Sequence, residues 1–486
     1  MSLIFGTFSC TDILVEDPQD QIFVDNYFET ENDAISSVNA IYAILNSTSL
    51  PPTFGGVYHS SYWVATGLAS DEMENRFVGV LEYDQLETFT HTAVNGTLYD
   101  FWQNAYKGIS NANFAINGIP KVNMDETRKA SLLGEAHFLR ALLYFDLVRM
   151  FGQVPLIIDI EPPLFPVKSA TADIYAQIKQ DLQFAADNLV DSYSRGDGLG
   201  RATSGAAMTL LAKVHLTLGA WDDCINLCNA VIASGRYELW EDFADAFRIA
   251  NENGKEAIFN IGFGDANGAI SFWEVGQFNV RLLPKELSQQ IPGVNAQGWQ
   301  VATQNLYNSY DANDRRRAVT LMTQVFALDG TVKNVEPHIR KYWDEESEPN
   351  AGNTENDLPY LRYSDVFLMK AEAINEKNNG PNQEAYDAVN TIRKRARFNG
   401  VEELDVLPDL GNLSYEAFKT ALLNERRWEF TGEGKRWFDL VRYGKLKEKV
   451  SEAKPNAQPM DFHSLFPIPQ EELDLNQNLL PQNQGY

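Results

Sequence analysis

The chain is poor in the residues on which most enzyme chemistry depends. Its 486 residues include only three cysteines and six histidines, and the histidines are scattered. No His-Glu-x-x-His pair, Gly-x-Ser-x-Gly elbow or Walker A loop occurs, so the zinc-protease, serine-hydrolase and P-loop signatures are missing. Gly262, Gly264 and Gly268 imitate a dinucleotide fingerprint, but the third glycine falls one place late and no long amphipathic helix follows. They read as a loop after a strand. No apolar run reaches the roughly 18 residues that a helical membrane span requires. Basic residues are scarce as well: 40 Lys and Arg stand against 67 Asp and Glu, for a net charge of −27. That surface repels phosphate backbones and anionic headgroups, which excludes nucleic acid as a partner and a basic patch as a membrane anchor. Neutral ligands are unaffected by it. Divalent cations are attracted, so calcium is compatible with the acidic loops, although no residue pattern implies a cofactor.

The cysteines divide into two kinds. Cys224 and Cys228 lie four apart on one helix face, where a disulfide fits poorly, and they read as small core residues. Cys10 follows a short apolar opening, Leu3 to Phe8, and the small Ser9, and precedes polar Thr11 and Asp12. This reads as the remnant of a lipoprotein signal with Cys10 as the lipid acceptor, although Thr7 stands where leucine is usual. An incidental thiol is the other reading.

What the chain has in quantity is helical periodicity. Asn32 to Leu45 carries Ile35, Val38, Ile41, Tyr42 and Leu45 on one stripe, and Leu98 to Ile116 carries Phe101, Ala105, Ile109 and Ala112. Leu132, Ala136, Leu139, Leu143, Leu147 and Phe151 predict a long helix capped by Asn123 or Asp125 and stopped by Gly152 and Pro155. Ser204 to Leu218 and Trp221 to Ser234 predict a helical hairpin of tetratricopeptide-like length, and Ser364 to Lys377 with Asn382 to Arg397 a second. One short strand is expected in Glu256 to Phe263. From Gly264 to Leu358 the chain reads as irregular, with helices expected only at Val301 to Ser309 and Asp314 to Met322. Its many aromatic residues argue against disorder.

Carboxylate pairs such as Asp311 with Asp314, or Glu345 with Glu346, are what chance supplies among so many acids, and do not define a glycosidase. Glu425, Arg426, Glu429, Glu433, Arg436, Asp439 and Arg442 recur mostly at intervals of three and four. On helices that spacing joins opposite charges, so this block reads as a partly buried salt-bridge lattice. Aromatic loops are the better functional lead. A pyranose has an apolar face on which an indole or phenol ring stacks, and a hydroxyl rim that Asn, Asp and Arg side chains bond. Asp71 to Tyr83 supplies Asp71, Arg76 and Tyr83, and Gly264 to Tyr310 supplies Trp273, Asn279, Trp299 and Tyr307. These are the candidate ligand-binding residues. Trp63 and Trp102 lie on or beside helical stripes and are assigned to the core.

Four segments in fixed order carry a resemblance: Gly134 to Pro155, Tyr360 to Ala373 (YLRYSDVFLMKAEA), Glu425 to Gly444 (ERRWEFTGEGKRWFDLVRYG), and Leu465 to Tyr486, a proline-rich ending that reads as an ordered strap. With them, the chain resembles the SusD/RagB family of outer-membrane lipoproteins over nearly its whole length. Asp314-Arg315 fits that family's "D-x-R" element, read as an ion pair at a helix start. The resemblance implies a mainly α fold, a tetratricopeptide-like superhelix with a loop-rich ligand-binding cap. It divides the chain into a lead (1–24), an N-terminal helical region (25–256) and a C-terminal region with cap and strap (257–486). It also implies a non-catalytic protein, lipidated at Cys10 and held at the outer-membrane surface. There it would capture glycan and pass it to a SusC-like TonB-dependent transporter. A peptide or other nutrient, a helical-repeat protein adaptor, or a glycoside hydrolase are the alternatives.

Overall fold

The computed structural model describes residues 27–46, 56–193, 198–263, 276–290, 295–326, 330–345 and 355–486. Cys10 and Trp273 lie outside them. The first half of the described chain is mostly helical: α1 (Glu31–Asn46), α2 (Ser61–Leu68), α3 (Leu81–Thr88), α4 (Gly96–Gly118), α5 (Glu126–Phe151), α6 (Thr171–Asn188), α7 (Ser204–Thr217) and α8 (Trp221–Ala233). Short helices α9 (Phe278–Leu282), α10 (Lys285–Gln290), α11 (Gln304–Ser309) and α12 (Arg315–Thr320) follow. The chain then forms α13 (Tyr363–Asn378), α14 (Gln383–Arg397), α15 (Tyr415–Phe430), α16 (Arg436–Arg442), α17 (Leu446–Ala453) and α18 (Gln470–Leu475).

The frame is a helical solenoid. α1 packs on α4, and from α4 to α8 each helix packs on the next; α8 then packs on α13, and α13 on α14 and α15. The two hairpins expected from sequence are thus neighbours in one stack, with a long insertion between them. Each helix pair buries its apolar face against the next, as in repeat proteins. The expected mainly α, tetratricopeptide-like architecture is the one observed.

Local chemistry explains the elements. The Asp125 carboxylate accepts from Arg128 N–H at 2.9 Å and caps α5, which is flanked by α4 and α6 and buried on most of its circumference. Where α4 crosses α5, a Cβ on Gly108 would stand 2.6 Å from Leu143 Cδ1, so any larger residue there would push the Leu143 side chain aside. Trp63 and Trp102 are core residues, and Cys224 and Cys228 are buried.

Among the described residues, three two-stranded antiparallel ribbons join this frame: β1 (Met73–Asn75) with β3 (Gln300–Ala302), β2 (Ala257–Ile261) with β6 (Leu358–Arg362), and β4 (Leu321–Phe326) with β5 (Val332–Ile339). β2 is the strand expected from sequence. The helix expected over Val301 to Ser309 instead opens as strand β3, and α11 starts only after Thr303, whose hydroxyl accepts from Leu306 N–H at 3.1 Å. The helix expected over Asp314 to Met322 ends at Thr320, because Leu321 and Met322 pair with Ile339 and His338.

The charged block of α15 and α16 is a buried lattice. Arg316 joins Asp314 (2.8 Å) and Glu425 (2.6 Å), and Glu425 also holds Arg393 (2.8 Å). Arg362 joins Glu256 (2.7 Å), Glu429 (3.0 Å) and Glu433 (2.8 Å). Arg426 joins Asp365 and Asp439, both at 2.8 Å. The ion pair expected at Asp314 is made with Arg316, while Arg315 turns away to Asp242 at 2.7 Å. Asp314 is spent on this contact and on capping α12. The C-terminal strap is ordered as expected: Phe466 and Ile468 are fully buried, Phe466 N–H donates to Met150 O at 2.7 Å, and its ring stacks on Trp437 at 4.8 Å.

Candidate functional site

The β1–β3 ribbon builds an aromatic platform. Asn75 pairs with Gln300, and one residue further the Arg76 N–H donates to Trp299 O at 2.7 Å. This register sets Phe77 against Trp299, their rings stacked at 4.2 Å with 5° between planes. Asn75 also fixes the loop that follows. Its Oδ1 accepts from Phe77 N–H at 3.1 Å, and its Nδ2 donates to Asp84 Oδ1 at 2.7 Å. Tyr83, from α3, brings a third ring 6.2 Å from Phe77. All three rings are partly exposed, and between them the chain turns through Gly79 with Val78 93% and Leu81 64% exposed. Apolar side chains so open to water beside stacked rings mark a contact surface.

Polar groups border the rings. Arg281 of α9 donates to Tyr83 Oη at 3.2 Å and places its guanidinium 5.0 Å from the centre of Trp299. This is a cation–π distance. Arg76 lies at the exposed rim, bonded to Glu74 (2.6 Å) and Glu336 (2.8 Å). Three carboxamides on the same elements, Gln277, Asn279 and Gln300, are buried, yet Gln277 Nε2, Asn279 Nδ2 and both polar atoms of Gln300 find no hydrogen-bond partner among the described residues. Unpaired buried polar groups of this kind cost about 1–3 kcal/mol each. All three are closed to solvent, so they do not themselves form the contact surface.

The sequence candidates therefore divide. Arg76, Tyr83 and Trp299 come together at the platform. Asp71 does not reach a ligand: it is 1% exposed and held by Arg436 at 2.8 Å and Arg427 at 3.2 Å. Burial alone raises its carboxyl, but the two guanidiniums overcome this and hold it well below the usual range. Its role is to anchor the ribbon, since the Asp71 carbonyl accepts from Thr303 Oγ1 and Arg427 Nη2, both at 2.8 Å. Asn279, 1% exposed, lies beneath the surface instead of on it. Tyr307 packs under Arg317, its ring centre 5.1 Å from the guanidinium. Phe77 and Arg281 complete the platform. Phe77 lay inside a segment already singled out, but nothing local distinguishes it; only the ribbon register sets it opposite Trp299.

Glu72 adds a pH-sensitive element under the ribbon. Burial, reinforced by the neighbouring Asp71 charge, pushes its carboxyl up to about 8. The folded state therefore keeps a proton that the unfolded chain releases near its ordinary value, so this residue's effect on stability becomes less favourable as pH rises toward about 8. Glu72→Gln is expected to be neutral near pH 5 and to stabilise by about 1 kcal/mol or more near pH 8. Urea midpoints at the two pH values check this; equal shifts at both would remove the assignment.

Comparison with known proteins agrees with this architecture. A model described as "SusD family" matches residues 298–486, and one described as "Starch-binding associating with outer membrane" matches residues 26–216. SusD-like protein P2 of Formosa agariphila is 30% identical over 100% of this chain and 98% of its own length. The chain belongs to the SusD family. SusD-like protein P25 from the same organism is 29% identical, again over 100% of this chain and 98% of its own. Among solved structures, a laminarin-binding SusD-like protein superposes with a TM-score of 0.79 at 26% identity, covering 94% of this chain and 100% of its own. This SusD-like chain thus shares the fold of a glycan binder, and its family associates with the outer membrane.

Proposed function

We propose that this SusD-like protein captures a neutral glycan on the platform of Phe77, Tyr83 and Trp299, and releases it chemically unchanged. The stacked, partly exposed Phe77–Trp299 pair carries the reading: it offers flat apolar area to sugar C–H faces, with Arg76 at the exposed rim for hydroxyls and the buried Arg281 bracing Trp299 and Tyr83 from behind. Net charge −27 is no obstacle to an uncharged ligand and disfavours an acidic one. In this reading Cys10 carries the lipid anchor, and the captured glycan passes to a SusC-like TonB-dependent transporter in the same membrane. Binding and hand-over are the whole mechanism.

Calorimetry with laminari-oligosaccharides, followed by a wider panel of neutral glycans, tests it. Saturable binding without release of reducing ends is expected for at least one glycan. Trp299→Ala is expected to weaken that binding by about 1–2 kcal/mol, roughly 5- to 30-fold in Kd. Tyr307→Ala, which removes a ring packed against Arg317, is expected to leave it unchanged. A panel that shows no binding at millimolar concentration removes glycan as the ligand class and favours peptide. Reducing ends released at a rate abolished by one carboxylate change would favour a hydrolase.

A further inference from the structure

The β4–β5 hairpin has one face that the core does not use. Opposite residues of an antiparallel pair point to the same side, and successive residues alternate between sides. Val325 is 1% exposed and packs with Val335, Leu283, Leu287 and Ala296, so its side of the hairpin is closed. The other side is open. There Phe326 pairs with Val332, and Gln324 with Asn334. Phe326 is 68% and Val332 49% exposed, so this apolar pair adds little to the burial that holds the fold.

The open face begins at the platform. β5 bulges between Asn334 and His338, and in that bulge Glu336 Oε2 holds Arg76 Nη2 at 2.8 Å. A bulge re-aims side chains in this way. The Arg76 N–H in turn bonds Trp299 O at 2.7 Å. At the hairpin base a Cβ on Gly298 would stand 3.0 Å from His338 Nε2, so β5 is pressed against the residue beside Trp299. From Glu336 to Val332 the strand rises by up to about 13 Å, further than one sugar ring extends.

The groups along this path repeat the platform's chemistry. Gln324 Nε2 donates to Asn334 Oδ1 at 3.1 Å, which leaves one carboxamide acceptor and one donor on an exposed pair for ligand hydroxyls. Phe326 then supplies an open ring for a sugar C–H face. Gln324, Phe326, Val332 and Asn334 carry no charge, and Glu336 is matched by Arg76, so the face suits an uncharged ligand.

We propose, on the basis of the platform reading, that this face is a second arm of the glycan site and makes the protein select long chains over short ones. Its occupant is the same neutral glycan, continued from Trp299 past the Arg76–Glu336 bridge to Phe326. Phe326 is then the residue that sets the preference for length.

Calorimetry with laminari-, cello-, malto-, xylo- and manno-oligosaccharides, each as trisaccharide and hexasaccharide, tests the arm. In a series that binds, the hexasaccharide is expected to bind about 10-fold tighter than the trisaccharide. Phe326→Ala is expected to cut that ratio about 3- to 10-fold, Phe326→Trp to restore it, and Phe326→Leu to leave it low. The ring lies outside the core, so all three variants keep the fold. Trp299→Ala is expected to weaken both lengths together. Equal affinity for the two lengths, a ratio unmoved in Phe326→Ala, or a ratio restored by leucine would each overturn the arm and leave the platform standing. Absence of binding in every series at millimolar concentration would remove platform and arm together. Sedimentation covers another occupant: wild-type dimers that Phe326→Ala dissolves would assign the face to a second copy of the chain and overturn the proposal.

Discussion

Arg362→Ala is expected to destabilise the fold by about 3–5 kcal/mol. The guanidinium is 1% exposed and bonds Glu256, Glu429 and Glu433, together with the Glu429 carbonyl at 2.9 Å and Ser364 Oγ at 2.9 Å. Removing it leaves three buried carboxylates to share Arg395, Arg316, Lys341 and Lys435. The loss measures uncompensated charge, not the net worth of the lattice, because replacing whole buried pairs by apolar residues is often neutral. The pH dependence separates the two. Burial raises the Glu429 carboxyl, but Arg395, Arg362 and Arg316 overcome this and hold it at about 2. Without Arg362 its folded-state value rises, so acid neutralises the stranded charge in the variant while the wild type remains ionised. The gap in stability is therefore expected to narrow as pH falls from about 7 to about 4. Urea midpoints at both values measure it, and an unchanged gap would assign the loss to packing.

Much of the frame is legible in sequence, since helix faces repeat within a few residues. The stripe from Leu132 to Phe151 and the two hairpins need only local periodicity, and the charges of α15 and α16 recur at helical spacing. The buried lattice followed from that spacing, but its partners did not: Arg362, Arg395 and Arg316 come from a strand and two other helices. The β4–β5 hairpin was missed within a stretch read as irregular. The Asp329-Gly330 dipeptide in the sequence, a common turn pair, was a usable signal.

The platform was legible only in part because ribbon register decides it. Trp299 and Tyr83 are conspicuous rings in stretches read as loops and were singled out, whereas Phe77 becomes meaningful only once Arg76 N–H is bonded to Trp299 O. Asp71 was misassigned for the converse reason. A carboxylate near Arg76 in a loop resembles a ligand contact until Arg436, from the far end of the chain, arrives to bury it. The lattice and the platform are therefore one mechanical unit. Arg427 and Arg436 hold Asp71, Asp71 holds Thr303, and Thr303 precedes the helix that follows β3.

Phe466→Ala is the second change expected to cost about 3–5 kcal/mol. The ring is fully buried, stacked on Trp437 with 18° between planes, and 5.4 Å from His91. The strap continues past it to Tyr486, whose hydroxyl lies 2.9 Å from His91 Nε2, and Asn483 Nδ2 donates to Phe151 O at 2.9 Å. A cavity at Phe466 therefore loosens the contact between strap and α5 as well as losing its own burial. A pH signature accompanies the loss. Burial, with the adjacent His463, lowers His91 to about 3, and burial lowers His463 to about 4. Both values lie below the unfolded value of about 6.5, so the unfolded chain binds protons that the folded state refuses. Wild-type stability is then expected to fall as pH drops from about 6.5 toward about 4. Opening the Phe466 site hydrates His91 and raises its value, so the acid limb of the variant is expected to be shallower. Urea midpoints across that range, with the imidazole titrations followed by NMR, measure both effects. A variant that loses stability with the same acid limb as the wild type would show that His91 does not depend on the strap.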